Sequence, residues 1–151
     1  MGGLGRARCA RLAVVADVFS KRKRSEVMSC IRSRGNKDTE LALARLLRRN
    51  RVAGWRRNQS AFGKPDFVFR QARLAIFVDG CFWHGCLKHS KPPRSNQNYW
   101  RAKMIRNKAR DRSVSRALRK RGWRVLRIWE HELARKNEIR LLQRIRRAKR
   151  R

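Results

Sequence analysis

The sequence predicts a single α/β domain built on a small mixed β-sheet. Its 151 residues are the length of one domain, with apolar content for a single core. Two short apolar runs, 66–69 and 74–78, are joined by Arg70-Gln71-Ala72-Arg73, and a third spans 123–129; all carry the β-branched and aromatic enrichment of strands. Segments with helical spacing precede the hairpin and lie on both sides of the third run. That order suits one layered unit.

Taken in turn, residues 1–16 are rich in Gly and Arg without a period and are expected to be a disordered extension ahead of a domain over 17–135. SKRKRSEVMSCIRSRG predicts a helix with Ser20 as N-cap and Gly35 past its end, with Val27, Met28 and Ile31 on one face. A second helix opens at Asp38 or Thr39, runs through Glu40 to Leu47 and stops before Gly54. Residues 55–58 read as a short edge strand and 62–65 as a turn, leading into the hairpin. Residues 90–98 form a polar loop containing Pro92-Pro93. A long helix follows, from about Trp100 to Arg121, ended by Gly122. The 123–129 run alternates basic with apolar residues, which predicts a strand with one buried face. The last stretch, 136–151, is a basic C-terminal helix and tail.

Charge narrows the function. Lys and Arg number 43 against 10 Asp and Glu, a formal +33. Such a chain repels itself and needs a polyanion, and nucleic acid is the polyanion that fits. The excess of Arg over Lys suits forked phosphate contacts. No apolar run approaches the ~20 residues of a membrane span. LAVVADVF is too short, and broken by Asp17, to read as a secretory signal, so a cytoplasmic protein working at the nucleoid is expected. Four cysteines in that setting point to metal or free thiols before disulfides; Cys9 and Cys30 stand apart and read as plain thiols.

The chemistry gathers near the hairpin. Asp66 starts the first strand and Asp79 ends the second, so antiparallel pairing brings the two carboxylates together. A hard divalent ion such as Mg²⁺ takes one or two carboxylates plus water and phosphate oxygens, and Glu40 is placed to supply a third acid. Asp is also common at strand ends for turn reasons alone. His84, five residues past Asp79, brings an imidazole, the side-chain type suited to proton transfer near neutrality and so to a general base. Cys81, Cys86, His89 and the distant His131 make a four-ligand nitrogen and sulfur set for a structural Zn²⁺, although their spacing is no standard finger. Phe82 and Trp83, held between these groups, read as rings able to wedge between bases, against the plainer alternative of core packing.

These motifs resemble the very short patch repair DNA mismatch endonucleases. The resemblance is carried by Gly63-Lys64-Pro65-Asp66-Phe67-Val68, by Phe77-Val78-Asp79-Gly80-Cys81-Phe82-Trp83-His84, by Asn107 to Asp111 and by Gly122-Trp123-Arg124-Val125 to Trp129-Glu130. Lys23 to Met28 and Thr39-Glu40 fit as well, and the match covers about residues 17–135. It implies a restriction-endonuclease-like central mixed sheet flanked by helices, a structural zinc, and Mg²⁺-dependent nicking 5′ of the T in a T·G mispair left by deamination of 5-methylcytosine. It further implies Asp66 as principal Mg²⁺ ligand with the Val78 backbone carbonyl beside it, His84 as general base, and Glu40 as supporting acid. Phe82 and Trp83 would insert at the mismatch, Met28 would approach from the other groove, and Lys64 would contact DNA. The protein is expected to act as a monomer, with mismatch-repair proteins as partners. Better-known members carry Thr-His where this chain has Val78-Asp79, which moves the site toward a two-carboxylate pattern. Cys86, His89 and His131 likewise replace a different mixture of His and Cys while keeping the ligand count. Two other readings stay open: a non-catalytic, zinc-stabilised DNA-binding protein, and a restriction-like nickase with another target.

Overall fold

The computed structural model describes residues 39–90 and 96–150. The predicted disordered extension, the helix over 20–35 with Met28, Cys9, Cys30, and the Pro92-Pro93 pair lie outside the described residues. The elements in chain order are α1 (Glu40–Arg49), β1 (Arg56–Arg57), β2 (Phe67–Phe69), β3 (Leu74–Asp79), α2 (Gln97–Lys120), β4 (Arg124–Trp129), two 3₁₀ turns (Glu130–Leu133 and Arg135–Asn137) and α3 (Glu138–Arg150). The four strands form one sheet in the order β1-β2-β3-β4. β1 and β3 run antiparallel to β2, whereas β4 lies parallel to β3. This is the mixed α/β domain expected. Antiparallel neighbours need only the four-residue connection after Phe69, while the parallel pair needs a long crossover, which α2 supplies.

Helices cover both faces of the sheet. On one face, Leu43, Leu46 and Leu47 of α1 and Leu141, Leu142 and Ile145 of α3 pack against Phe67, Phe69, Leu74, Ile76 and Ile128. Most of these side chains are fully buried, each contributing about 1.5–3 kcal/mol by transfer from water. The apolar positions of ELALARLLRR recur three and four residues apart, and Glu40 and Arg48-Arg49 suit the two ends of the α1 dipole. On the opposite face, Leu118 and Val114 of α2 meet Ala75, Phe77, Trp123 and Val125.

β4 departs from the one-faced strand expected. Leu126 and Ile128 join the first core and Val125 the second. Parallel strands in a helix-covered sheet bury both sides, so the basic–apolar alternation does not mark an in/out division here. Its Arg127 instead sits among carboxylates, as described below. The turn at 62–65 depends on Gly63, which has φ +77 and whose added Cβ would lie 2.3 Å from Val114 Cγ1 of α2. α2 begins at Gln97, three residues before the expected start, and ends as expected before Gly122. Among the described residues no helix is long and apolar enough to cross a membrane.

Candidate active site

The β2–β3 hairpin and the end of β4 bring the predicted acids to one end of the sheet. Asp66 lies immediately before β2, and its Oδ2 accepts a hydrogen bond from Val78 N–H at 2.7 Å. The short hairpin makes this contact unavoidable: with Phe67 opposite Ile76, the residue before β2 arrives beside the end of β3. Burial pushes the Asp66 carboxyl up to about 6, against the stabilising Val78 N–H. The Glu40 and Asp79 charges raise it further, and Arg127 partly relieves it. Glu40, the first residue of α1, is only 4% exposed and is gripped by the Arg57 guanidinium of β1, whose Nε donates at 2.7 Å. Three carboxylates from α1, β2 and β3 thus feel one another at a single place.

Asp79 ends β3 and is 3% exposed. The Arg127 guanidinium engages both its oxygens, Nε at 2.6 Å to Oδ2 and Nη2 to Oδ1. Arg127 Nη2 also reaches Asp111 Oδ1 of α2 at 3.1 Å. His84 completes the group: its Nδ1 is 2.6 Å from Asp111 Oδ2 and 3.7 Å from Asp79 Oδ1. Burial opposes ionisation of Asp111, but the His84 bond and charge, with Arg127 and Arg110, hold its carboxyl below the ordinary range. With Nδ1 committed to a carboxylate, Nε2 is the ring nitrogen left to take a proton.

The turn between Asp79 and His84 is tightly built. His84 N–H bonds Gly80 O at 3.2 Å, Cys86 N–H bonds Cys81 O at 3.0 Å, and Asn107 of α2 donates to Trp83 O at 2.9 Å. Gly85 has φ +64, a left-handed conformation that favours glycine, where the turn passes close to Lys108 of α2.

Beyond the turn, Cys81, Cys86, His89 and His131 come together, every ligand atom within 4.8 Å of the others. Cys81 Sγ is 3.2 Å and Cys86 Sγ 3.7 Å from His131 Nδ1, and Cys86 Sγ is 3.6 Å from His89 Nδ1. Ligands at ~2.0–2.3 Å around a tetrahedral ion are separated by roughly 3.3–3.8 Å, so the donor set fits Zn²⁺ in both chemistry and spacing. Parallel pairing of Asp79 with Trp129 is what delivers His131 across 50 residues of chain. Burial pushes the Cys81 thiol up to about 11, with Cys86 and Glu130 adding to it and His131 opposing, while burial and His89 lower His131. A bound cation reverses the first trend and suits the neutral ring of the second.

Phe82 and Trp83 are half-buried in an aromatic cluster. Phe82 packs edge-on to Trp83 and to Trp100, with centroids at 5.0 and 5.2 Å, and Trp83 lies 6.0 Å from Trp100. Tyr99, 53% exposed, flanks Trp100, and the Lys103 ammonium lies over three of these rings. Lys64 is exposed, with φ +51, next to Asp66. Asp111 entered only as the end of the Asn107–Asp111 motif, and Arg127, Arg57 and Trp100 were given no role in the site from sequence. Asp111 alone left a legible sign, as the one acid in the 24 residues of α2.

The model of the family described as DNA mismatch endonuclease Vsr matches residues 16–90. The DNA mismatch endonuclease Vsr of Escherichia coli (strain K12) is 40% identical over 120 residues, 77% of this chain and 74% of that protein. The Type II nicking enzyme V.NmeDIP of Neisseria meningitidis serogroup C is 36% identical over 134 residues, 87% of this chain and 89% of the relative. The Type II nicking enzyme V.NaeI of Lentzea aerocolonigenes is 54% identical over 69 residues, and there the match spans 46% of this chain and 42% of that enzyme.

Proposed function

This chain belongs to the Vsr family of DNA mismatch endonucleases and is an endodeoxyribonuclease; from that premise we propose that it nicks one strand of duplex DNA 5′ of the T in a T·G mispair, using Mg²⁺. The observation that carries the reading is the 2.6 Å His84–Asp111 pair set against the Asp66, Glu40 and Asp79 carboxylates. A raised acid among like charges is a place where a hard cation is favoured, and that supports Asp66 and the Val78 carbonyl as its ligands, with Asp79 assisting. Bound there, the ion would polarise the phosphoryl oxygen and ease deprotonation of the attacking water.

The chain's own groups do the rest. His84 Nε2 takes the proton from water, and Asp111 holds Nδ1–H and stabilises the imidazolium that results. Arg127 bridges Asp79 and Asp111 and places a positive charge between them. Glu40, fixed by Arg57, adds negative potential that draws the ion to Asp66. Phe82 and Trp83 enter the base stack at the lesion, where unstacking a mispaired step costs least, with Met28 approaching from the opposite groove and Lys64 on the backbone. Cys81, Cys86, His89 and His131 would hold a structural Zn²⁺ that pins the wedge-bearing turn to the end of β4. We read the architecture as restriction-endonuclease-like.

A panel of end-labelled duplexes tests this: each mismatch and a perfect pair, in varied flanks, with Mg²⁺ or EDTA. Mg²⁺-dependent scission on the T strand of T·G alone is expected. Equal cutting of the perfect duplex would make the protein a general nickase, and tight binding without scission in every arm would leave a DNA-binding protein only.

A further inference from the structure

We propose that a basic cleft along α2 is a second phosphate subsite, which grips a non-scissile phosphodiester of the substrate duplex and sets the register of the strand over His84. The inference rests on DNA being the substrate and is independent of which mismatch is cut.

The cleft has a volume of about 510 Å³ and borders the active site, since Asp111 and Arg127 form one of its walls. The rest is Arg112, Ser115, Arg116, Arg119 and Lys120. Asp111 does not neutralise them, because its oxygens are already taken by His84 and Arg127. Among the described residues, Arg112, Arg116, Arg119 and Lys120 make no ion pair or side-chain hydrogen bond. Three arginines elsewhere are paired, Arg49 with Glu138, Arg57 with Glu40 and Arg144 with Glu132.

Position sharpens the contrast. Arg112, Arg116 and Lys120 recur every four residues, and Arg119 follows Arg116 by three, so these like charges are stacked on one helix face and repel one another. Folding alone gives no return for that arrangement; an anion seated among them does. Ser115, buried in the same stretch and lining the cleft, has a hydroxyl without a hydrogen-bond partner. Several guanidinia converging on one small cleft suit forked contacts to phosphate oxygens better than diffuse attraction along a groove. Because the cleft and the imidazole share Asp111 and Arg127, a phosphate bound here would fix where the neighbouring phosphodiester lies.

The test is a methylphosphonate scan of a T·G duplex, neutralising one phosphate at a time and measuring affinity for the full-length protein and for R116A/R119A, both zinc-loaded and without added Mg²⁺. These side chains are exposed, so the variant keeps its core. The wild-type protein should lose affinity at one non-scissile position near the cut. The variant should be insensitive at that position alone, and its salt-dependence slope should fall by about one for each phosphate it no longer neutralises. Identical scan profiles, or a loss spread evenly over all positions, would overturn the subsite. Nicking by the wild-type protein, followed in a parallel Mg²⁺ reaction, separates the two readings: persistent nicking with an unchanged scan removes the cleft only, whereas the expected scan without nicking removes the nuclease reading only.

Discussion

Two clusters of titratable side chains lie on either side of the Gly80–Gly85 turn, and they solve opposite electrostatic problems. In the Cys81/Cys86/His89/His131 cluster the donors are soft and close together. In the Asp66/Asp79/Asp111/His84 cluster the donors are carboxylates, and Arg127 is already bound between two of them. The first group offers a cation four nitrogen and sulfur donors. The second is partly neutralised from within, which leaves Asp66, with no guanidinium bound to it among the described residues, as the acid most in want of an external ion. On the proposed reading, the first cluster is structural and the second chemical.

The largest expected effect comes from breaking the first cluster. Structural zinc sites contribute on the order of 10 kcal/mol of binding free energy to folding. Chelation of the metal, or Cys81→Ser, should therefore lower the melting temperature sharply in calorimetry and release one Zn²⁺ per chain by elemental analysis. Retention of full stability with no zinc bound would remove the clip.

Breaking the second cluster should spare the fold and cost rate. Loss of a general base is worth about 10²–10⁴ in turnover. His84→Ala should fall in that range in single-turnover nicking with binding unchanged. Asp111→Asn, which leaves the imidazole but alters the group on Nδ1, should cost about 10²-fold. An Asp111 variant with the wild-type rate would show that the 2.6 Å contact is incidental.

Smaller, and opposite in sign, is the effect of Asp66 on stability. Its folded value of about 6 lies above the ordinary 3.8, so the folded state binds the extra proton between those values. The stability this group contributes is therefore present below about pH 4 and is lost as pH rises through 6. Without divalent ions, Asp66→Asn should stabilise the protein by about 3 kcal/mol at pH 8 and by much less at pH 4, read from denaturant midpoints. The same protonation competes with metal, so the Mg²⁺ concentration for half-maximal nicking should climb as pH drops below 6.

Much of this was legible in sequence because it is local. Asp66, Val78, Asp79 and His84 lie within 19 residues spanning one hairpin and its turn, and three of the four soft ligands lie within nine. β2, β3 and the C-terminal end of α2 follow from apolar runs and the glycines at 63 and 122. His131 was reachable because a strand of matching length ends just before it. Arg127 was not, since a basic residue in an alternating strand reads as solvent-facing until the parallel pairing of Phe77 with Arg127 sets it beside Asp79. Asp111 required knowing which turn of a 24-residue helix meets His84. The loop setting of Phe82 and Trp83 predicts rings that stand clear for insertion, but Trp100, brought by the start of α2, takes part of their surface.

The most direct test of the proposed division of labour is the single-turnover nicking rate of zinc-loaded Asp66→Asn on a T·G duplex in Mg²⁺, beside its affinity for the same duplex. The expected result is undetectable scission with binding equal to or tighter than wild type, because a negative charge next to the DNA backbone has been removed. Scission at the wild-type rate would place the hydrolytic centre elsewhere in the molecule.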